Sequence, residues 1–477
     1  MKAKHLKFPL NRPQYVSVSE GYISALAWSL FEPLPKQEGK KQALRYSFES
    51  SAVSRDLVYK RTEPTAKDDF TIFAGAMASS GLSTDDDGYL LALAAAKSII
   101  GVKSEKGKFT PASPMTPVLA LLQNNEGIQG SANPPATAEI LESIFRLGNS
   151  ETDVSSAATL WAESAYRRLE IDPILKGIDS AMCEVAFGTL PVRRAHQIDV
   201  DDLETEWVPL LAESPFAWFA EAWKKLNSKI WVDNLPARVW TDWATTLLRT
   251  GYGTSILWEC AWYESLGRAV ISGNLTTVQE IIKNMDPTLP WRSASDTAEI
   301  RDLSSKIKVR CQRAFEIRTR LDRWLKEDSN EELPVEEALV KMHLDSNFKS
   351  GLAKDLQAKS NSNLGKGLRE AIRYALLIRE ESGSNADYYG LLRNAGTRYL
   401  FPEPAIEWIT VMASLSCDTP GSTCNLGDVK SFLRKAGLEP DLRDLVALLE
   451  KSGMARGSAD AEEGLKVEAA FKGVNHV

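Results

Sequence analysis

Apolar residues recur every three or four positions through the middle of the chain. That period predicts helices over residues 137–147, 154–169, 215–229, 235–250 and 256–271, with Pro or Gly between most of them. A longer helix is expected over 297–326, where Ile300, Leu303, Ile307, Arg310, Ala314, Ile317, Leu321 and Trp324 form a heptad seam with one Arg inside it. Such a seam suits a coiled coil or one side of an antiparallel helix pair in a bundle. Polar linkers are expected over 327–336 and 350–366, followed by a helix over 368–379.

The first part of the chain reads differently. Short β-prone pieces at 15–18, 43–48 and 70–73 stand between Pro, Gly and Lys, which predicts a small sheet. Asp85, Asp86 and Asp87 then suit the N-terminal cap of an apolar helix over 89–100. Residues 102–136, rich in Pro, Gly, Ser and Asn, read as a long loop or boundary. The expected fold is mainly α, with an α/β N-terminal part over 1–102, a linker over 103–136, a helical body over 137–400 and a separate terminal domain over 401–477.

Composition changes this picture at two points. Of 13 tryptophans, eight fall between residues 207 and 262, Trp218 among them, and Trp258 with Trp262 and Phe219 with Trp223 stand four apart, on shared helical faces. Indoles so placed build a thick core or a docking platform for bases or a partner. Charge is the second. The chain carries a net −7, yet Lys306, Lys308, Arg310, Arg313, Arg318, Arg320, Arg323 and Lys326 face only Glu316 and Asp322, a local +6. A helix of this kind can lie along phosphates or receive an acidic surface. Lys366, Arg369 and Arg373 add a second basic stripe. The acidic run 199–206 (DVDDLETE) is a candidate internal partner for the first.

The last sixty residues give the most specific pattern. Three amphipathic segments, 406–415 (IEWITVMASL), 426–436 (LGDVKSFLRKA) and 440–451 (PDLRDLVALLEK), precede Gly453-Met454-Ala455-Arg456-Gly457 and 464–471 (GLKVEAAF). This order resembles a winged-helix domain. The resemblance implies that Arg443 and Lys451 lie on or beside the reading helix, and that Arg456 and Lys466 flank the wing. Eight basic against nine acidic residues over 421–477 suit protein contact better than strong DNA binding.

Catalytic signatures do not emerge. No phosphate loop, HExxH, CxxC or G-x-S-x-G is present, and Gly251-Tyr252-Gly253 lacks the last glycine of a dinucleotide fingerprint. Glu38-Gly39-Lys40 caricatures a metal-dependent nuclease, but it sits in a Lys/Gly loop. Five scattered cysteines, with no secretory signal or spanning segment, fit a reducing cytoplasm. We therefore expect a chain without catalytic residues, cofactor or metal site. It reads as an adaptor subunit of a cytoplasmic multiprotein machine that handles nucleic acid, of bacterial genome-defence (antiviral defense) type. Its partners would be other protein subunits, with DNA or RNA as a further ligand and no membrane. The rivals are a divergent metal-dependent nuclease and a DNA-binding regulator acting through the winged helix.

Overall fold

The computed structural model describes residues 1–13, 15–16, 19–31, 75–81, 113–121, 134–150, 155–187, 202–274, 277–285, 289–291, 303–327, 329–357, 363–378, 389–395, 399–456 and 465–471. The expected strands at 43–48 and 70–73, the helix over 89–100 and Glu38 lie outside them. The described residues are mainly α-helix, with a few short strands. Their labelled helices are α1 (Gly21–Ser29), α2 (Pro117–Leu121), α3 (Pro134–Leu147), α4 (Ala157–Ile171), α5 (Pro173–Phe187), α6 (Asp202–Trp207), α7 (Pro215–Leu226), α8 (Lys229–Asn234), α9 (Ala237–Ser272), α10 (Val278–Lys283), α11 (Leu303–Lys326), α12 (Val335–Leu344), α13 (Ser346–Leu356), α14 (Lys366–Leu376), α15 (Ile406–Ser416), α16 (Leu426–Lys435) and α17 (Leu442–Lys451).

Helix α9 is the axis of the body. The sequence suggests two helices broken at Gly251 and Gly253, but one runs through. A glycine inside a helix costs about 1 kcal/mol of propensity, and here it is used for close approach. A Cβ on Gly251 would meet Phe219 of α7 at 2.5 Å, and one on Gly253 would meet Leu376 of α14 at 2.7 Å. Helices α7, α11, α13 and α14 all pack on α9, so it is buried around most of its circumference. It ends at Gly273, whose left-handed backbone (φ 70°) is the usual helix stop.

The heptad seam of α11 is buried as expected at Ile307, Ala314, Ile317, Leu321 and Trp324. Its cover is shared by α9, α13 and α14, which fits a seam within a bundle better than a two-stranded coiled coil. Helix α13 runs into the expected linker over 350–366, and α12 begins at the end of the one over 327–336 and fills most of the interval between the two. Their short apolar faces, Val335, Ala338, Leu339 and Met342, then Phe348 and Leu352, are buried against neighbours that the local sequence does not reveal.

The first ten residues belong to this helical body. Phe8 packs against Trp207, Phe216 and Trp258 at 4.7–5.3 Å between ring centroids. The indole N–H groups of Trp207 and Trp262 donate to the carbonyls of His5 and Leu6. Buried indoles need acceptors, and the carbonyls of the N-terminal 3-10 turn, Ala3–Leu6, supply them.

Short strands fasten the far end. Strand β1 (Leu289–Trp291) pairs in parallel with β5 (Leu438–Pro440), and β2 (Leu392–Ala395) pairs antiparallel with β3 (Tyr399–Pro402). Strands β4 (Thr423–Asn425), β6 (Ala455–Arg456) and β7 (Lys466–Glu468) form an antiparallel sheet in the order β4-β7-β6. The terminal unit is held by the body. Trp408 of α15 is buried and donates to Thr250 Oγ1 of α9 at 3.2 Å, and Trp218 of α7 meets Phe432 of α16 edge-on. Among the described residues no helix is long and apolar enough to cross a membrane.

Candidate interaction surface

The tryptophans settle first. Trp218, Trp223 and Trp262 are wholly buried and Trp258 is 6% exposed. The docking-platform alternative for these four is therefore corrected: Trp258 and Trp262 pack under the N-terminal segment, Trp218 against Phe432 of α16, and Trp223 donates to the Ala157 carbonyl of α4.

The basic helix α11 divides by face. Glu264 of α9 accepts from Arg313 Nη1 at 2.5 Å, Arg310 Nε at 3.2 Å and Arg268 Nη2 at 2.9 Å. Burial pushes this carboxyl up, but the three guanidinium groups more than offset it and hold it below the usual range. Arg318 donates to Glu259 Oε1 at 2.8 Å and to the Leu10 carbonyl, which ties the N-terminal segment to α11. Arg320 grips Asp355 of α13 with two hydrogen bonds, at 2.7 and 3.0 Å. Four of the expected stripe residues, Arg310, Arg313, Arg318 and Arg320, thus join helices within the protein. Their carboxylate partners come from α9 and α13, not from the acidic run, of which Glu206 lies 4.0 Å from the N-terminal amine. Lys306, Arg323 and Lys326 remain exposed and Lys308 is half-buried. On α14, Lys366 pairs with Glu370 at 3.6 Å, Arg369 is half-buried and Arg373 is exposed.

The terminal unit presents a different face. Its order is α15, β4, α16, β5, α17, β6, β7, and α15 faces the body while α17 packs on α15 and β6. The Asn425–Asp428 capping box starts α16 and the Asp441 carboxylate caps α17. Leu445 and Leu449 turn inward. Outward stand Leu442, 51% exposed, with Arg443, Ala447, Glu450 and Lys451. In the hairpin, Lys466 is exposed and lies at the register position opposite Arg456 on one side and Asn425 on the other. All four basic residues named from the resemblance therefore belong to one small unit.

Beside this unit a cleft of about 510 Å³ opens between α7 and α16. Glu213, Glu221, Asp418, Asp428 and Lys435 line it, with Cys417 and Cys424 at its floor. Among the described residues no group of three His, Cys, Asp or Glu side chains comes together to hold a metal ion.

Comparison with family models, curated proteins and solved structures found no match. The functional reading therefore rests on the geometry alone. Sequence reasoning did not pair Glu259, Glu264 and Asp355 with these arginines, because acids so far off along the chain carry no signal until the fold brings them together. It also missed the half-apolar outer face of α17. The exposure of Leu442 next to Arg443 is the one local hint of that face.

Proposed function

We propose that this protein is an adaptor subunit that presents the outer face of α17, with the β6–β7 hairpin beside it, to a protein partner in a machine that handles nucleic acid. The observation that carries the reading is the mounting of the terminal unit. Trp408 anchors α15 in the body core, whereas α17 carries Leu442 and Ala447 outward among Arg443, Glu450 and Lys451. An exposed leucine among charges of both signs, Asp441 and Glu450 against Arg443 and Lys451, suits a protein interface better than a phosphate backbone, which would ask for a positive excess. The element order and the sheet order β4-β7-β6 support a winged-helix-like unit, and bacterial genome defence remains the proposed setting.

The test uses the tagged full chain expressed in its native host. Stoichiometric partners should be retained by the native chain and lost from a Leu442→Asp, Ala447→Arg double variant whose melting temperature is unchanged. Divalent-metal-dependent cleavage of DNA or RNA that is abolished by Glu38→Ala would overturn the reading in favour of a nuclease. DNA contact through the same unit is favoured by one observation, the facing of Arg456 and Lys466 across the hairpin. Reversing Arg443 and Arg456 to Glu should then remove salt-dependent retention of DNA.

A further inference from the structure

The cleft beside the terminal unit holds two thiols in van der Waals contact. Cys417 caps the C-terminal end of α15 and Cys424 is the central residue of β4, and their Sγ atoms are 3.0 Å apart. Cys417 is buried and is also directed at the Ala413 carbonyl, at 3.4 Å. Cys424 is half-exposed on the cleft wall, with Ser416 Oγ at 3.4 Å. Cys260 and Cys311, by contrast, are both buried in the body, where no reagent can enter.

We propose that Cys417 and Cys424 form a modification site, a dithiol that a hydroperoxide closes to a disulfide. The sulfur of Cys424 attacks one peroxide oxygen, the O–O bond breaks, and a first water leaves as Cys424 becomes a sulfenic acid. The sulfur of Cys417 then attacks that of Cys424, and the hydroxyl leaves with the Cys417 proton as a second water. Two thiols and one hydrogen peroxide give one disulfide and two waters, the sulfurs oxidised and the peroxide oxygens reduced. Closure needs the sulfurs to approach by only about 1 Å. It would tie the end of α15 to the sheet that carries the hairpin.

The division of labour follows from the surroundings. The hydrogen bond from Cys417 brings the Cys424 thiol down to about 7; burial and Asp428 of α16 oppose this, and Ser416 and Lys225 of α7 assist it. The same contact and burial push Cys417 up, so it acts second. The oxidant class follows from the lining. Four carboxylates, Glu213, Glu221, Asp418 and Asp428, against the Lys435 amine disfavour anionic disulfides such as oxidised glutathione and admit a small neutral peroxide. This proposal rests on the dithiol alone and stands or falls apart from the adaptor reading.

The experiment takes the reduced full chain, adds one equivalent of hydrogen peroxide, blocks the remaining thiols and digests with trypsin, which releases residues 399–430 with both cysteines in one peptide. That peptide should be found lighter by two hydrogens and be restored by dithiothreitol, while Cys183 in the same sample stays alkylated. In a Cys417→Ser variant a cyclic 1,3-dione should trap the sulfenic acid on Cys424. The proposal is overturned if both thiols stay open to alkylation, if Cys183 oxidises first, if the variant traps nothing, or if oxidised glutathione closes the pair faster than peroxide.

Discussion

Arg318 and Glu259 meet across the interface of α11 and α9 with the guanidinium Nη1 2.8 Å from a carboxylate oxygen that is almost wholly buried. The other oxygen of Glu259, Oε2, has no donor among the described residues. One arginine therefore carries nearly the whole compensation of a buried charge, and the fold should be sensitive to both members of the pair.

Replacing Arg318 by Met should cost up to about 3–5 kcal/mol above pH 7, because Glu259, pushed up to about 7 even with its partner present, must then either ionise unpaired in the core or hold a proton there. The loss should be smaller near pH 5, where Glu259 carries a proton. Chemical denaturation of the variant at the two pH values checks this. An equal loss at both would assign the effect to the guanidinium's contacts with the Tyr263 ring and the Leu10 carbonyl.

Burial pushes Glu259 up to about 7 from an ordinary 4.5, against the pull of Arg318. For an acid raised in the folded state the contribution is fully present below the unfolded value and is lost as pH rises through the folded one. Native stability should therefore fall between about pH 5 and pH 8 from this group, and Glu259→Gln should flatten that slope. Urea midpoints measured in steps across the interval read the difference. Glu264, held in the opposite direction, acts only at the acid end.

Asp233 shows the reverse sign. Arg167, with two hydrogen bonds at 2.6 and 2.7 Å, together with Lys229, holds this carboxyl down to about 2 from an ordinary 3.8. Its contribution is present above the unfolded value and is lost as pH falls through the folded one. Thermal melts of the native chain and of Asp233→Asn should converge as pH is lowered from about 4 toward 2. A gap that stays constant would show that the pair's charge is irrelevant to stability.

A methyl group at Gly253 has nowhere to go. Gly253→Ala would place Cβ 2.7 Å from Leu376 Cγ and should cost about 1–3 kcal/mol by overpacking, although alanine is the better helix former. Adding Leu376→Ala should recover part of that loss, and a double-mutant cycle of unfolding free energies measures the recovery. Additive effects would mean that the two residues do not touch.

Helical character and the buried seam of α11 were readable from period alone, since a face that must leave water repeats every 3.6 residues whatever covers it. The terminal helices were readable for the same reason: α15 and α16 begin within one residue of their expected starts and α17 within two. Where the linear pattern misled, the cause was distance along the chain. Gly251 and Gly253 looked like a helix break because the residues they admit, Phe219 and Leu376, are far off in sequence. The second half of α13 looked like linker because its narrow apolar face is covered by remote neighbours.

What the amino-acid order determined by itself was which residues are apolar, charged or aromatic, and on which helical face they fall. What only the tertiary structure decided was their partners. The eight positive charges of α11 are a surface stripe in one dimension; in three, Arg310, Arg313, Arg318 and Arg320 are bound to Glu264, Glu259 and Asp355. A buried charge must be compensated wherever a counter-charge can be brought, and only the folded chain brings it.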